Sequence, residues 1–310
     1  MARYITGRLV SSLLTLWVIV TLTFVLMHAV PGGPFDTEKA LPQAILDNLN
    51  KRYHLDWPLW RQYLYYLWNL AHFDFGPSFK HIGQSVNEII AQGFRVSATL
   101  GGMAIAVALI GGVLAGVVAA LRQGGWVDHV VMTFASVGLA VPSFVVATVL
   151  VYLLAYHLKV LPAGLWGTPA QAVMPVISLS LGPMAVIARY VRTSMVEVLR
   201  QDFITTARAK GLPRRTITYV HALKNAILPV ITYMGPLTAG VLTGSFVIEQ
   251  IFAIPGMGRE FVLSITDRDY TAIMGTTVFY SVLLIVANLL VDLVYAWVDP
   301  RIRVAKGASD

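Results

Sequence analysis

The chain has 310 residues, 56% of them apolar and only 13% charged, about half the charged share of a soluble domain. It contains no cysteine, which excludes disulfides and thiolate metal sites. The net charge of +7 is confined to a few segments between long apolar runs, so it marks the inner face of an integral membrane protein rather than a nucleic-acid surface.

Arg3 and Arg8 precede an apolar run from Leu9 to Val30, long enough to cross about 30 Å of hydrocarbon. No small-residue cleavage site follows it, so the run reads as an uncleaved first span that ends at Pro31–Gly32–Gly33–Pro34. Phe35 to Arg95 is the one long polar segment, with mixed charges. Helices are expected at Leu41–Arg52 and Pro58–Ala71, and Trp57, Trp60, Tyr63, Tyr65, Tyr66 and Trp68 suit a membrane interface. This segment reads as a small extracytoplasmic subdomain. It either meets a substrate-binding protein or only shields the helix bundle.

Val96–Leu121 is the second expected span, and Gly101, Gly102, Gly111, Gly112, Ala115 and Gly116 allow close helix contact within it. Val130–Tyr156 is the third, broken by Pro142, and Ala172–Ala188 the fourth, with Pro175 and Pro183. The segment Arg189–Asn225 carries eight basic residues against Glu197 and Asp202, which places it inside. Ala226–Ile248 is the fifth span, with Pro229 and Pro236. An acidic outer loop, Glu249–Ala272, contains the turn Pro255–Gly256–Met257–Gly258, and Ile273–Trp297 is the sixth span, ended by Asp299–Pro300. The expectation is an all-α membrane protein of six transmembrane helices with both termini cytoplasmic. Its parts are a tail and first span (1–30), an extracytoplasmic helical subdomain (31–95) and a five-helix core (96–310) with a cytoplasmic loop at 189–225.

That loop is the most punctuated polar piece of the chain. Asp202 can cap a helix through its side-chain oxygen, and Phe203 to Lys210 lacks Gly and Pro. Arg208 and Lys210 suit the last turn, Gly211 a left-handed C′ position, and Pro213 blocks continuation. The result is a helix of about two turns with Phe203 and Ile204 as its apolar side. An amphipathic stretch, Arg214–Asn225, follows, with Ile217, Val220 and Leu223 three residues apart.

The segment resembles the cytoplasmic coupling loop of ABC importer permeases, with Thr205–Thr206–Ala207 at the Glu–Ala–Ala positions and Gly211 as the loop glycine. His221–Ala222–Leu223–Lys224 departs from the generic Ile-x-Leu-Pro, as in the peptide-importing branch, and the chain is most similar to the oligopeptide permease B-type subunits. Other matching runs are Pro31–Phe35, Asp74–Phe79, Ile254–Gly258 and Val298–Pro300. The resemblance implies a bacterial inner-membrane, multi-pass importer subunit with the type I importer fold. It also implies two ATPase subunits that bind ATP and Mg, a second homologous permease, and an extracytoplasmic peptide-binding protein. Asp202, Phe203, Thr205, Thr206, Ala207, Arg208, Ala209, Lys210, Gly211 and Leu212 are the expected ATPase-coupling residues, and Pro255, Gly256 and Gly258 the expected contacts to the binding protein. Dipeptides, murein peptides, glutathione and nickel chelates remain alternative cargoes.

No catalytic, metal-binding or phosphate-loop signature is present in the chain, so a motor, if there is one, lies in another subunit. Helix breaks at the midplane line a transport route where freed backbone groups face a cavity. Pro142 and Ser143, with Gly235, Pro236, Thr238, Thr243 and Ser245, are the candidates, against a reading of kinked packing. Asp292, the one acid well inside a span, reads as hydrogen-bonded near Asn288 and Tyr295; a carrier without a motor would give it a proton.

Overall fold

A computed structural model describes residues 2–30, 32–35, 42–81, 83–244 and 246–298. Pro31, Ser245, Asp299 and Pro300 lie outside the described residues, as do the side chains of Thr243 and Asp292. The described elements are helical. They are α1 (Ala2–Ala29), α2 (Gln43–Arg52), α3 (Leu59–Ala71), α4 (Val86–Leu121), α5 (Trp126–Ala140), α6 (Ser143–Leu150), α7 (Pro169–Val198), α8 (Asp202–Ala209), α9 (Arg214–Thr216), α10 (Leu223–Ala226), α11 (Leu228–Gly244), α12 (Phe246–Ile251), α13 (Met257–Asp267) and α14 (Tyr270–Val298). Wide π turns continue α6 over Val151–His157 and join α9 to α10 over Ile217–Ala222.

Four of these helices are long and apolar enough to cross a membrane: Thr6–Ala29, Val86–Leu121, Pro169–Val198 and Tyr270–Leu290. The expected third span is a helix pair, Trp126–Ala140 and Ser143–His157, bent by 102°. The cause is local. Proline forces its predecessor out of the α region, and Val141 takes φ −90° and ψ 119°. The expected fifth span, Ala226–Ile248, is divided among the end of α10, the 17 residues of α11, and α12.

The chain divides into two compact units, Met1–Val96 with Pro255–Ile285, and Ser97–Ile254 with the residues from Val286 on. In the first unit, Val86, Ile90, Met257 and Ala272 form a buried core flanked by Phe75, Phe94, Phe279 and Tyr280. Backbones approach closely there. A Cβ at Gly93 would stand 2.9 Å from the Met257 backbone, and one at Gly275 would stand 2.5 Å from Val86 Cγ1. Two of the sequence runs noted above also meet. Phe35, Tyr53 and Phe79 form a ring cluster with centroids 4.6–5.7 Å apart, and Tyr270 Oη donates to the Gly32 carbonyl at 3.0 Å. The helix α13, in a stretch the sequence reading gives only as loop, starts at the N-cap Gly256 and buries Met257, Gly258 and Ser264.

In the second unit α7 is central and packs against α5, α6, α10, α11 and α12. Small residues bring α4 against it. A Cβ at Gly112 would meet Ile187 Cβ at 2.7 Å, and one at Gly116 would meet the Ala188 carbonyl at 2.6 Å, so only glycine fits. Gly102, grouped with them by the sequence reading, faces open space instead. Glu249, expected in an outer loop, sits in α12 with no exposed surface and accepts a hydrogen bond from Ser97 Oγ at 2.7 Å.

Candidate functional site: the α8 ridge

The helix α7 does not stop at the expected span end, Ala188, but runs on to Val198 and carries Arg189 and Arg192 with it. The chain then turns through Leu199–Gln201 into α8. Gln201, not Asp202, holds the N-cap position, in extended backbone (φ −76°, ψ 153°). The turn closes early because Gln201 N–H bonds the Val198 carbonyl, which makes Asp202 the first helical residue. Its carboxylate still suits the positive end of the helix.

The C-terminus of α8 is a Schellman motif. Leu212 N–H donates to the Ala207 carbonyl at 3.3 Å, Gly211 N–H donates to the Arg208 carbonyl at 3.0 Å, and Gly211 has φ +75°. The glycine predicted at this point is therefore required by the backbone. Pro213 follows in extended conformation (φ −67°, ψ 147°) and caps α9.

Packing fixes which side of α8 is free. Ile204 (0% exposed) and Ala207 (7%) join the buried cluster that contains Ile217, Ala222, Ala226, Ile187, Val191 and Met195. The π turn Ile217–Ala222 is the bed on which α8 lies. Phe203, expected beside Ile204 on the apolar side, is instead 40% exposed, since a one-residue step turns a helix by about 100°. Ala207, expected on the docking face, is turned inward. The outward ridge holds Asp202, Phe203, Thr205, Thr206, Arg208, Ala209, Lys210, Gly211 and Leu212. Among the described residues, Arg208 and Lys210 make no ion pair, so the ridge presents two cations beside two apolar side chains.

On α7, before the chain reaches α8, is a contact that the sequence does not disclose. Arg192 on α7 donates from Nε to Asp128 Oδ1 at 3.1 Å and from Nη2 to Asp128 Oδ2 at 2.7 Å, and Gly124 N–H donates to Oδ2 at 3.0 Å. Arg200 Nη2 adds a bond to Gln123 Oε1 at 3.2 Å. The first ties the start of α5 to α7, and the second ties the α4–α5 loop to the turn that follows α7. An acid at the third position of α5 was the available signal, but its partner lies on another helix.

The other expected site residues are dispersed. Pro142 and Ser143 are exposed at the 102° bend, on a helix that packs against α7 and α12. Gly235, Pro236 and Thr238 lie within α11, where Thr238 Oγ1 bonds the Met234 carbonyl of its own helix at 2.7 Å. Thr243 belongs to the same helix by its backbone. Of the outer turn, Pro255 is exposed, whereas Gly256 and Gly258 are buried within the first unit.

Comparison with known proteins fits this arrangement. Residues 112–304 match the family of binding-protein-dependent transport system inner membrane components, and residues 1–100 match the N-terminal model of the same kind of membrane component. The dipeptide transport system permease protein DppB of Bacillus subtilis (strain 168) is 53% identical over 306 residues, which cover 99% of both chains. The oligopeptide transport system permease protein OppB of Haemophilus influenzae is 47% identical and covers 98% of this chain and all of that one. OppB of Escherichia coli (strain K12) shows the same identity and coverage. An amino acid ABC transporter crystallised with histidines superposes with a TM-score of 0.52 at 16% identity, over 67% of this chain and 92% of that one. The inward-facing MetNI methionine ABC transporter also gives 0.52, at 14% identity, over 66% and 96%. At these identities the two structures speak for the fold alone. The chain is a non-catalytic transporter subunit of the inner membrane, and it belongs to the family of binding-protein-dependent transport system inner membrane components.

Proposed function

We propose that the chain is a permease subunit of an ATP-driven importer of short peptides and that α8 is the piece through which it is driven. The carrying observation is the shape of α8. It is a rod roughly 12 Å long, pinned from behind by Ile204 and Ala207 and stopped by a Schellman turn, with a free ridge of mixed cationic and apolar character. A helix held this way moves with α7 and the π turn as one body. A push on the ridge therefore reaches the transmembrane helices.

In this reading two ATPase subunits bind ATP and Mg, close on one another, and each carries one coupling helix with it. This chain and a second homologous permease then rock between inward-facing and outward-facing states around a passage fed by an extracytoplasmic binding protein. The spans are six, with both ends cytoplasmic: α1, α4, the bent α5–α6 pair, α7, the α11–α12 run, and α14. The basic excess of Arg189–Asn225 supports that orientation. Pro142, Ser143, Gly235, Pro236 and Thr238 are the positions assigned to the passage, and Pro255 the exposed corner assigned to the binding protein. The names of the dipeptide and oligopeptide relatives support a peptide cargo.

The test uses the absence of native cysteine. The exposed Ala209 is replaced in the co-expressed importer (Ala209→Cys), and crosslinking of the new thiol to the ATPase subunit is followed with and without ATP. A crosslink whose yield changes with nucleotide is the expected result. A thiol at this position that stays equally open to a soluble reagent in both conditions, with no crosslink, refutes the coupling role.

A further inference from the structure

The outward face of α3 has the wrong chemistry for water. Trp60, Leu64 and Trp68 repeat every four residues, so they form one stripe, and they are 66%, 56% and 67% exposed. Tyr65 and Leu59 border the stripe, also exposed. The one charged residue of the helix is Arg61, and its guanidinium carbon lies 3.9 Å from the centre of the Trp57 ring. An extramembrane helix normally turns its charged side outward, and contiguous apolar patches mark a contact surface.

The contacts of α3 identify what it touches. Tyr63 Oη and Thr21 Oγ1 share a hydrogen bond at 2.6 Å, and Phe24 meets the Tyr63 ring edge-on at 5.2 Å. Thr21 lies eight residues before the end of α1 at Ala29, roughly 12 Å along the helix. The middle of α3 is thus fixed beside the membrane-crossing part of α1, at a depth within one leaflet of about 15 Å. Between the two helices runs an open groove of about 410 Å³, lined by Thr21, Phe24, Val25, Leu59, Trp60 and Tyr63 among others. Val25 also belongs to the exposed apolar face of α1, with Leu22 and Leu26. The lipid-facing surface of α1 is therefore continuous with the groove and with the stripe of α3.

We infer that α3 is immersed in the leaflet in which α1 ends, with Trp60, Leu64 and Trp68 toward phospholipid and an acyl chain lying in the α1–α3 groove. Trp at the ends of the stripe and a lone Arg suit the boundary between headgroups and acyl chains. The occupant is bilayer lipid, not the soluble face of another protein.

The experiment places single Cys residues at Trp60, Leu64 and Trp68, with Leu22 of α1 as a lipid-exposed reference and Lys51 of α2 as an aqueous one. Each variant is labelled with a nitroxide in the full co-purified importer and reconstituted into nanodiscs of phosphatidylethanolamine and phosphatidylglycerol. Power saturation then compares collisions with oxygen, which partitions into lipid, and with a water-soluble nickel chelate. The expected result is an oxygen-to-nickel ratio at 64 and 68 on the side of Leu22, reversed relative to Lys51. Nickel access at all three stripe positions equal to that at Lys51 overturns the inference. Low access to both reagents at all three also overturns it, by showing a protein partner in place of lipid. A variant that misfolds is recognised by loss of co-purification, and the remaining two positions decide the question.

Discussion

Arg192 and Asp128, 64 residues apart, form a two-point ion pair in which Nε and Nη2 each meet a separate carboxylate oxygen. The Asp128 side chain is only 4% exposed, and that of Arg192 28%, so the acid is buried and its partner half-covered. Planar two-point pairing fixes angle as well as distance. The α4–α5 loop and the base of the α8 arm are thereby held as one piece.

This predicts that Asp128→Ala is costly, because it strands the Arg192 charge among groups that cannot solvate it fully. Removing one member of a buried pair costs about 3–5 kcal/mol, and partial wetting of Arg192 puts the expected loss at about 3 kcal/mol. Arg192→Lys keeps the charge but loses the fork, so it recovers only part of the stability. Thermal-shift curves of the purified importer for the two single variants and the double variant give the coupling between them. Additive losses would show that the pair does not act as a unit.

Gly211 is the residue on which the end of α8 depends. At φ +75° a Cβ meets no neighbour within 4 Å, so its requirement is conformational and not one of space. Gly211→Val is expected to cost about 1–2 kcal/mol locally and to unwind the Schellman turn. Gly211→Asn, which tolerates the left-handed region, should be close to neutral. Membrane insertion should be unchanged in both. ATP-driven uptake in vesicles should be lost in the first and kept in the second; equal uptake would count against a coupling role.

These two sites show what was legible in the sequence and what was not. The helix α8 and its stop were legible because Gly211 and Pro213 act on their own backbone. The choice of Ile204 and Ala207, and not Phe203, as the buried side was not legible, since it depends on where the π turn Ile217–Ala222 lies. Glu249 read as a loop charge, and the role of Asp128 was not legible, because their partners, Ser97 and Arg192, stand on other helices. Gly256 and Gly258 read as a free turn because the backbone that buries that corner belongs to Gly93, far upstream. Four of the expected spans were legible from hydropathy, whereas the 102° bend at Pro142 was visible only as a break of unknown size.

The run Asp74–Phe79 was recognisable, but its purpose comes from a residue 191 positions away from Ser78. Asp269, 1% exposed, accepts from Ser78 Oγ, from the N–H groups of Phe79 and Lys80 at 3.2 and 3.3 Å, and from Thr271 Oγ1 at 2.9 Å. It also accepts from Ala272 N–H at 3.1 Å, so it caps α14 while clamping the loop. Asp269→Ala leaves two buried donors, Ser78 Oγ and Ala272 N–H, without this acceptor, at about 1–3 kcal/mol each. The expected signature is faster proteolysis between Ser78 and Gln84, with the α8 ridge unaffected. An unchanged cleavage pattern would show that the loop holds without the clamp.

Close packing of α4 on α7 yields a prediction of opposite character, because it concerns space and not hydrogen bonds. At Gly116 an added methyl would meet the backbone carbonyl of Ala188, which cannot move aside without bending α7. Gly116→Ala is therefore expected to destabilise by about 1–3 kcal/mol, whereas Gly102→Ala, which meets nothing, should be neutral or slightly stabilising. Thermal shifts of the two variants side by side test this, and equal shifts would refute the tight contact.

The Tyr66 hydroxyl is buried with no hydrogen-bond partner among the described residues, and burial pushes its phenol above the usual tyrosine range. A buried hydroxyl without a partner forfeits its hydration and gains nothing in return. Tyr66→Phe keeps the ring and removes the unmet group, so it is expected to leave stability unchanged or raise it by up to about 1 kcal/mol. The sign distinguishes two origins of the group. If the ring alone matters, the phenylalanine variant melts at the same temperature as the parent or higher, and Tyr66→Ala melts well below both because the ring's packing is lost. If the phenylalanine variant melts lower, the hydroxyl has a partner that the described residues do not supply.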